Sequence, residues 1–269
     1  MSATIFKHEF ISRLKSVIIW SASMVILLLI FFSIYPSFSS EAALLNEMLA
    51  KFPPQLLEAF GMTHIDLSSI LGFFAFLFTF IQLCLAIQAG NYGVGLVSVE
   101  ETDLTADFLM SKPVSRLQVM NSKLFAAVCS LLVTDLIVWA SAFISINMFR
   151  SGHTFDAGRL MLILASLFLF QLFFLSVGLV ISLLVKRVRS VTPYGLSLAF
   201  AAYIINGFSG IFGDVKLEYI TPFKHFDPSY IAQNGALNTP LVLLNVAVSV
   251  IALVVSYWLY LHRDIPAVS

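Results

Sequence analysis

An all-α integral membrane protein that crosses the bilayer six times is the fold class predicted by three observations on the sequence. Mean hydropathy is +0.94, with 59% hydrophobic and only 11% charged residues, a balance well outside soluble domains. Six apolar runs each come close to or exceed the roughly 20 residues that a helix needs to cross a ~30 Å hydrocarbon core. Charge, proline or a polar cluster bounds every one of them, at about 17–35, 70–97, 124–149, 160–185, 191–212 and 241–261. No domain boundary or internal repeat interrupts the series, so residues 1–269 read as a single six-helix transmembrane domain.

Ile5, Phe6, Phe10, Leu14 and Val17 recur at helical spacing beside Lys7, Arg13 and Lys15, which predicts an N-terminal amphipathic helix along the inner leaflet. The run at 17–35 is read as a retained helix and not a signal peptide, because basic residues crowd it and Tyr35-Pro36-Ser37 is unlike a cleavage site. The second run is longer than a crossing needs, and Gln88, Asn91, Gly90, Gly93 and Gly95 crowd its last turns, so tilt or protrusion into the cytosol is expected. Six crossings put both termini on one side, and the basic residues choose which. Lys7, Arg13, Lys15, Lys112, Arg116, Lys123, Lys186, Arg187, Arg189 and Arg263 fall inside for an N-in, C-in chain. Only Lys51, Arg150, Arg159, Lys216 and Lys224 then fall outside, as the positive-inside rule requires. The outer segments 36–68 and 213–240 are amphipathic, with Leu44, Met48 and Phe60 in one and Phe223, Phe226, Tyr230 and Ile231 in the other; they either lie at the outer interface or close connections between helices.

The long charged island at 100–123 is where such a chain meets the aqueous phase. Glu100, Glu101 and Asp103 precede Leu104, Phe108 and Leu109, placing negative charge at the start of a short helix, where the helix dipole favours it. Lys112-Pro113 ends that helix, since a residue before proline avoids the helical region. Ser115 with Gln118 three residues later spells a capping box for the next helix. A solvated loop capped by charge is the plainer alternative.

In this stretch Glu100, Glu101, Thr105, Asp107, Phe108, Leu109, Met110, Ser111, Lys112, Pro113, Val114, Ser115, Arg116 and Lys123 stand in matching order with a motif. The sequence resembles the permease subunits of type-2 ATP-binding-cassette (ABC) transporters. Their pattern runs acid-acid-x-x-Gly-Thr-Leu-acid-aromatic-Leu-Leu-Ser-x-Pro-Val-Ser-Arg, then an apolar helix with an early lysine. Leu104 and Ala106 depart from the usual glycine and leucine, and the ending Tyr260-Leu261-His262-Arg263-Asp264-Ile265 is similar to that of the family. The resemblance implies that the segment between spans two and three is a coupling helix docking on a cytosolic ATPase subunit. Its coupling residues would be Glu100, Glu101, Asp107, Phe108, Leu109, Lys112, Pro113 and Arg116. It also implies a second permease copy or related permease, an exporter, and the cell membrane of a bacterium.

The chain has no G-x-x-x-x-G-K-[ST] loop, so it has no catalytic role by that mechanism; the resemblance puts ATP and Mg in the partner ATPase. H-E-x-x-H, C-x-x-C and G-x-S-x-G are also absent, and the five histidines are scattered, leaving no catalytic, cofactor or metal constellation. Net charge is zero, which offers no field for nucleic acid. Cys84 and Cys129 sit in apolar runs, where a thiol behaves as a small hydrophobe. Asp135 lies midway along the third span, where a lipid-facing charge would cost roughly 2.5–3.5 kcal/mol, so it must turn inward. Gln82 and Gln171 join it as a candidate intramembrane polar site, and a packing hydrogen bond through Thr134, Gln82, Gln171 or Asn206 is the structural alternative. Two other classes fit the sequence: a membrane assembly protein that only binds a cytosolic partner, and an ion-coupled carrier that uses Asp135.

Overall fold

The computed structural model describes residues 2–41, 44, 47–48, 51–53, 57, 66–102, 114–150, 152–185, 188–209 and 216–262, and of residues 99–102 the backbone alone. Every element among them is helical. Long helices are α1 (Ala3–Ser40), α2 (Ile70–Thr102), α3 (Arg116–Phe149), α4 (Ala157–Leu184), α5 (Thr192–Phe208) and α8 (Thr239–His262). Two short ones, α6 (Pro222–His225) and α7 (Pro228–Asn234), come after a 3-10 turn at Leu217–Tyr219. Five helices (α1, α3, α4 and α8, with α2 over Ile70–Ser98) are long and apolar enough to cross a membrane. The fifth expected span is helical over the 17 residues of α5, and 210–212 lie outside the described residues.

The burial pattern is that of a bundle in lipid. On α1 only one stripe is buried, formed by Val17, Ser21, Met24, Leu28, Phe32 and Tyr35 at steps of three and four. Its opposite face exposes Ile18, Ile19, Ile26 and Ile30, which hydrocarbon accepts and water would not. The inward stripe of α8 is instead small and polar, with Asn245, Ser249, Ala252 and Ser256, while Val250, Val254 and Trp258 face out. Small inward residues let helices approach closely where no hydrophobic force joins them. α2 approaches α4 most closely at Gly93, where a Cβ would clash with the Leu175 carbonyl oxygen, and Gly90, Gly178 and Gly195 form a second close contact. A Cβ at Gly178 would meet the Gly90 carbonyl oxygen at 2.8 Å, and one at Gly90 would meet the Gly195 Cα at 3.2 Å.

α2 and α4 pack as the central pair, flanked by α5 and α8, while α1 lies along α3 as a second pair. The separate surface arm expected at the N-terminus is not a separate element. Its residues form the first turns of one uninterrupted 38-residue helix, about 57 Å long at 1.5 Å per residue, far more than the hydrocarbon core. Phe6 explains the difference, because its ring packs against Phe125 at 5.4 Å and holds the arm to α3 rather than flat on a leaflet.

Of the segment expected at 213–240, residues 216–240 are described and fold inward at the opposite end of the bundle. Phe223, Phe226 and Ile231 are buried, with Phe223 5.0 Å from Phe170 and 5.5 Å from Tyr203 between ring centroids. Arg159 at the start of α4 donates from Nη1 to the carbonyls of Ala232 (2.7 Å) and Gln233 (2.9 Å), capping the end of α7. Gly235 takes the left-handed conformation there at φ 64°.

Candidate functional site

The extended ends of α1, α2 and α3 meet at one pole, and the island joins two of them in the sequence. α2 ends at Thr102 and α3 begins at Arg116. Glu100 and Glu101 belong to the last turn of α2, whose backbone alone is described. The expected short helix lies outside the described residues, and with it Asp107, Phe108, Leu109, Lys112 and Pro113. The start of α3 is the one the sequence spells. Ser115 accepts from the Gln118 amide and the Gln118 side chain accepts from the Ser115 amide, each at 3.2 Å, a complete capping box that fixes where α3 starts.

Behind that start stands a charged cluster that the sequence did not single out beyond its lysine. Lys123 is 3% exposed; its Nζ donates to the Leu96 carbonyl of α2 at 2.7 Å and lies 3.8 Å from Glu9 of α1. Glu9 also pairs with Arg13 at 2.6 Å, and the Arg13 guanidinium sits 6.0 Å from the Tyr92 ring centroid. The Ser2 amide donates to Ser122 Oγ at 2.8 Å. One buried lysine thus ties the N-terminal helix to both helices that flank the island. A single cation directly before the apolar run at 124–149 was the available signal, and its partner Glu9 lies more than a hundred residues away.

Of the expected intramembrane group, Asp135 and Gln171 come together and Gln82 does not. Asp135 does turn inward, at 2% exposure. Gln171 of α4 is the side chain beside it, yet neither carboxyl oxygen of Asp135 and neither amide atom of Gln171 has a hydrogen-bond partner. Gln82 serves elsewhere, donating from Nε2 to the Phe226 carbonyl at 2.9 Å and so anchoring the buried loop to α2. Six residues further along, about 9 Å, Gln88 donates to Thr134 Oγ1 at 3.0 Å and to Tyr92 Oη at 3.2 Å. Gln88 is therefore the α2 glutamine at the level of Asp135. Asn206 of α5 keeps its Oδ1 without a partner.

A second buried polar group lies in the folded-in cap. His225 Nδ1 is 3.3 Å from Asn245 Nδ2, and Nε2 closes no hydrogen bond of normal geometry. Burial lowers its pKa below the ordinary 6.5, and the nearby backbone of Tyr219 and Glu218 only partly opposes this. Among the described residues no group of three His, Cys, Asp or Glu side chains could hold a metal ion.

A bundle whose long helices turn apolar faces outward defines a multi-pass membrane protein. Residues 3–265 match the model of the ABC-2 family transporter proteins, and the chain belongs to that family. It is accordingly a type-2 ABC permease subunit, embedded in the membrane and working with an ABC ATPase. No curated protein matches the chain.

Proposed function

We propose that this permease crosses the membrane six times with both termini in the cytosol, and that it drives export when an ATPase on another chain pushes on segment 100–116. One observation supports the reading most: the ends of α2 and α3 that flank that segment in the chain are joined to each other and to α1 by Lys123, Glu9 and Leu96. A force applied between Thr102 and Arg116 would reach three helices at once, not a free loop. The basic residues near this pole support a cytosolic location. ATP and Mg belong to the partner, and a second permease copy or related permease completes the path, in the cell membrane of a bacterium. Glu100, Glu101, Lys112 and Arg116 would frame the dock by charge, with Asp107 beside Phe108 and Leu109 at its apolar centre.

Copurification tests this reading. The chain alone should hydrolyse no ATP, and the native complex should contain an ATPase subunit. Phe108→Asp with Leu109→Asp should release that subunit, because charge is forced into an apolar dock. A double variant that keeps its partner and its transport-linked ATPase rate would refute the coupling role.

A further inference from the structure

The interior polar contacts of this bundle concentrate on the seam between the α1–α3 pair and the α2–α4 block. Gln88 reaches Thr134 at 3.0 Å, Tyr92 Oη donates to Ser16 Oγ at 3.1 Å, Trp139 Nε1 donates to the Leu164 carbonyl at 3.1 Å, and Lys123 donates to Leu96. Between helices in lipid such contacts hold position where apolar packing has no water to exclude. One facing pair on the seam is incomplete. Asp135 and Gln171 are 2% and 0% exposed, and all four of their side-chain polar atoms lack a hydrogen-bond partner.

Hydrogen-bond arithmetic selects one protonation state for this pair. An ionised carboxylate only accepts, so it takes one N–H from the Gln171 amide and sets its other oxygen against an acceptor, Oε1. A neutral acid has the missing donor. Its O–H reaches Gln171 Oε1 while Gln171 Nε2 donates back to the acid carbonyl, and both groups are satisfied. Gln171 can itself donate to the ionised form, but it offers that form a single amide N–H and leaves its Oε1 opposed to the second carboxylate oxygen. From α4 the facing group is Gln171, and no charged side chain of α1, α2, α4 or α8 among the described residues acts on Asp135. The titratable group joined to this level of the seam is Tyr92, through Gln88 and Thr134.

We propose that Asp135 is a proton-binding site, holding one proton as a carboxylic acid paired reciprocally with Gln171 across the α3–α4 seam. Release breaks the O–H bond, leaves the electron pair on the carboxylate and passes the proton to water; the pair then loses one of its two hydrogen bonds and α3 is freed from α4 at that point. This site does not depend on the ATPase partner, so it stands or falls separately from the coupling role.

Infrared spectroscopy of the full chain in lipid nanodiscs at pH 7 tests the site. A protonated-carboxyl band is expected that Asp135→Asn removes and Asp135→Glu displaces, and Gln171→Leu should move the band to higher frequency as the acid carbonyl loses its donor. The shorter Gln171→Asn serves the same purpose if the leucine variant does not assemble. A wild-type spectrum without a carboxyl band lost in Asp135→Asn overturns the proton site. A band indifferent to both Gln171 variants overturns the pairing.

Discussion

Replacing Lys123 by methionine removes one charge from the joint between α1, α2 and α3 while keeping the aliphatic stem. Two interactions go with it. The Nζ–Leu96 carbonyl bond at 2.7 Å is a hydrogen bond to a charged group, of a kind that contributes about 1.5–3 kcal/mol. The Glu9 pair at 3.8 Å has a gross attraction of roughly 4 kcal/mol at an effective dielectric of about 20. Desolvation offsets most of that attraction. Glu9 keeps Arg13 at 2.6 Å, so it is not left alone. The net loss should be about 2–3 kcal/mol, which lowers the melting temperature by on the order of 5–10 °C for a chain of this size. Thermal unfolding of the purified chain in one detergent, with Glu9→Gln and the double variant alongside, measures both the loss and its origin. A coupling of about 1 kcal/mol between the two sites is expected. A Lys123→Met protein that melts within about 1 °C of wild type, or strictly additive losses, would refute the lock.

Three further outcomes are expected from other parts of the fold. Gly178→Ala places a methyl 2.8 Å from the Gly90 carbonyl, so it should destabilise the α2–α4 contact by about 1–3 kcal/mol in the same melting assay; a neutral result would mean that the contact yields freely. His225 has a lowered pKa in the fold, so the unfolded chain binds the proton first and stability is complete above about pH 6.5 and falls as pH drops below it, by at most about 1.4 kcal/mol per pH unit; a slope unchanged in His225→Gln would contradict the assignment. In a background lacking Cys84 and Cys129, a cysteine at Ser40 should react with an impermeant reagent on intact cells and one at Ser190 should not, and the reverse pattern would overturn the orientation.

The long apolar helices were legible because a long apolar run admits few alternatives, and five of the six expected runs match helices that meet the length and hydropathy of a crossing. Their ends were less so. Hydropathy marks the hydrocarbon part of a helix, whereas α2 continues to Thr102 and α3 begins at Arg116, eight residues before the apolar run at 124. The start of α3 was still readable, because Ser115 and Gln118 carry a local signal that depends on no distant partner. The N-terminal arm misled for the opposite reason: its apolar spacing fits a leaflet and a neighbouring helix equally well, and Phe125 decides between them. The inward turn of Asp135 came from its cost in lipid alone, but choosing Gln88 over Gln82 required the register of α2 against α3. Lys123, Glu9 and the capped, buried loop around His225 rest on pairings distant in sequence, which no periodicity encodes.

Cross-linking from the island puts the coupling role to its sharpest test. A photo-reactive side chain at position 108 or 109 of the chain in its native membrane should capture one cytosolic protein, identified by mass spectrometry as an ATP-binding subunit with its own phosphate-binding loop. The same probe at Phe200, which is 42% exposed on the apolar face of α5, should not capture it. Capture of that subunit from 108 or 109 alone is expected if the island is the dock. An ATPase captured equally from Phe200, or none captured from 108 and 109 while the complex hydrolyses ATP, would contradict it.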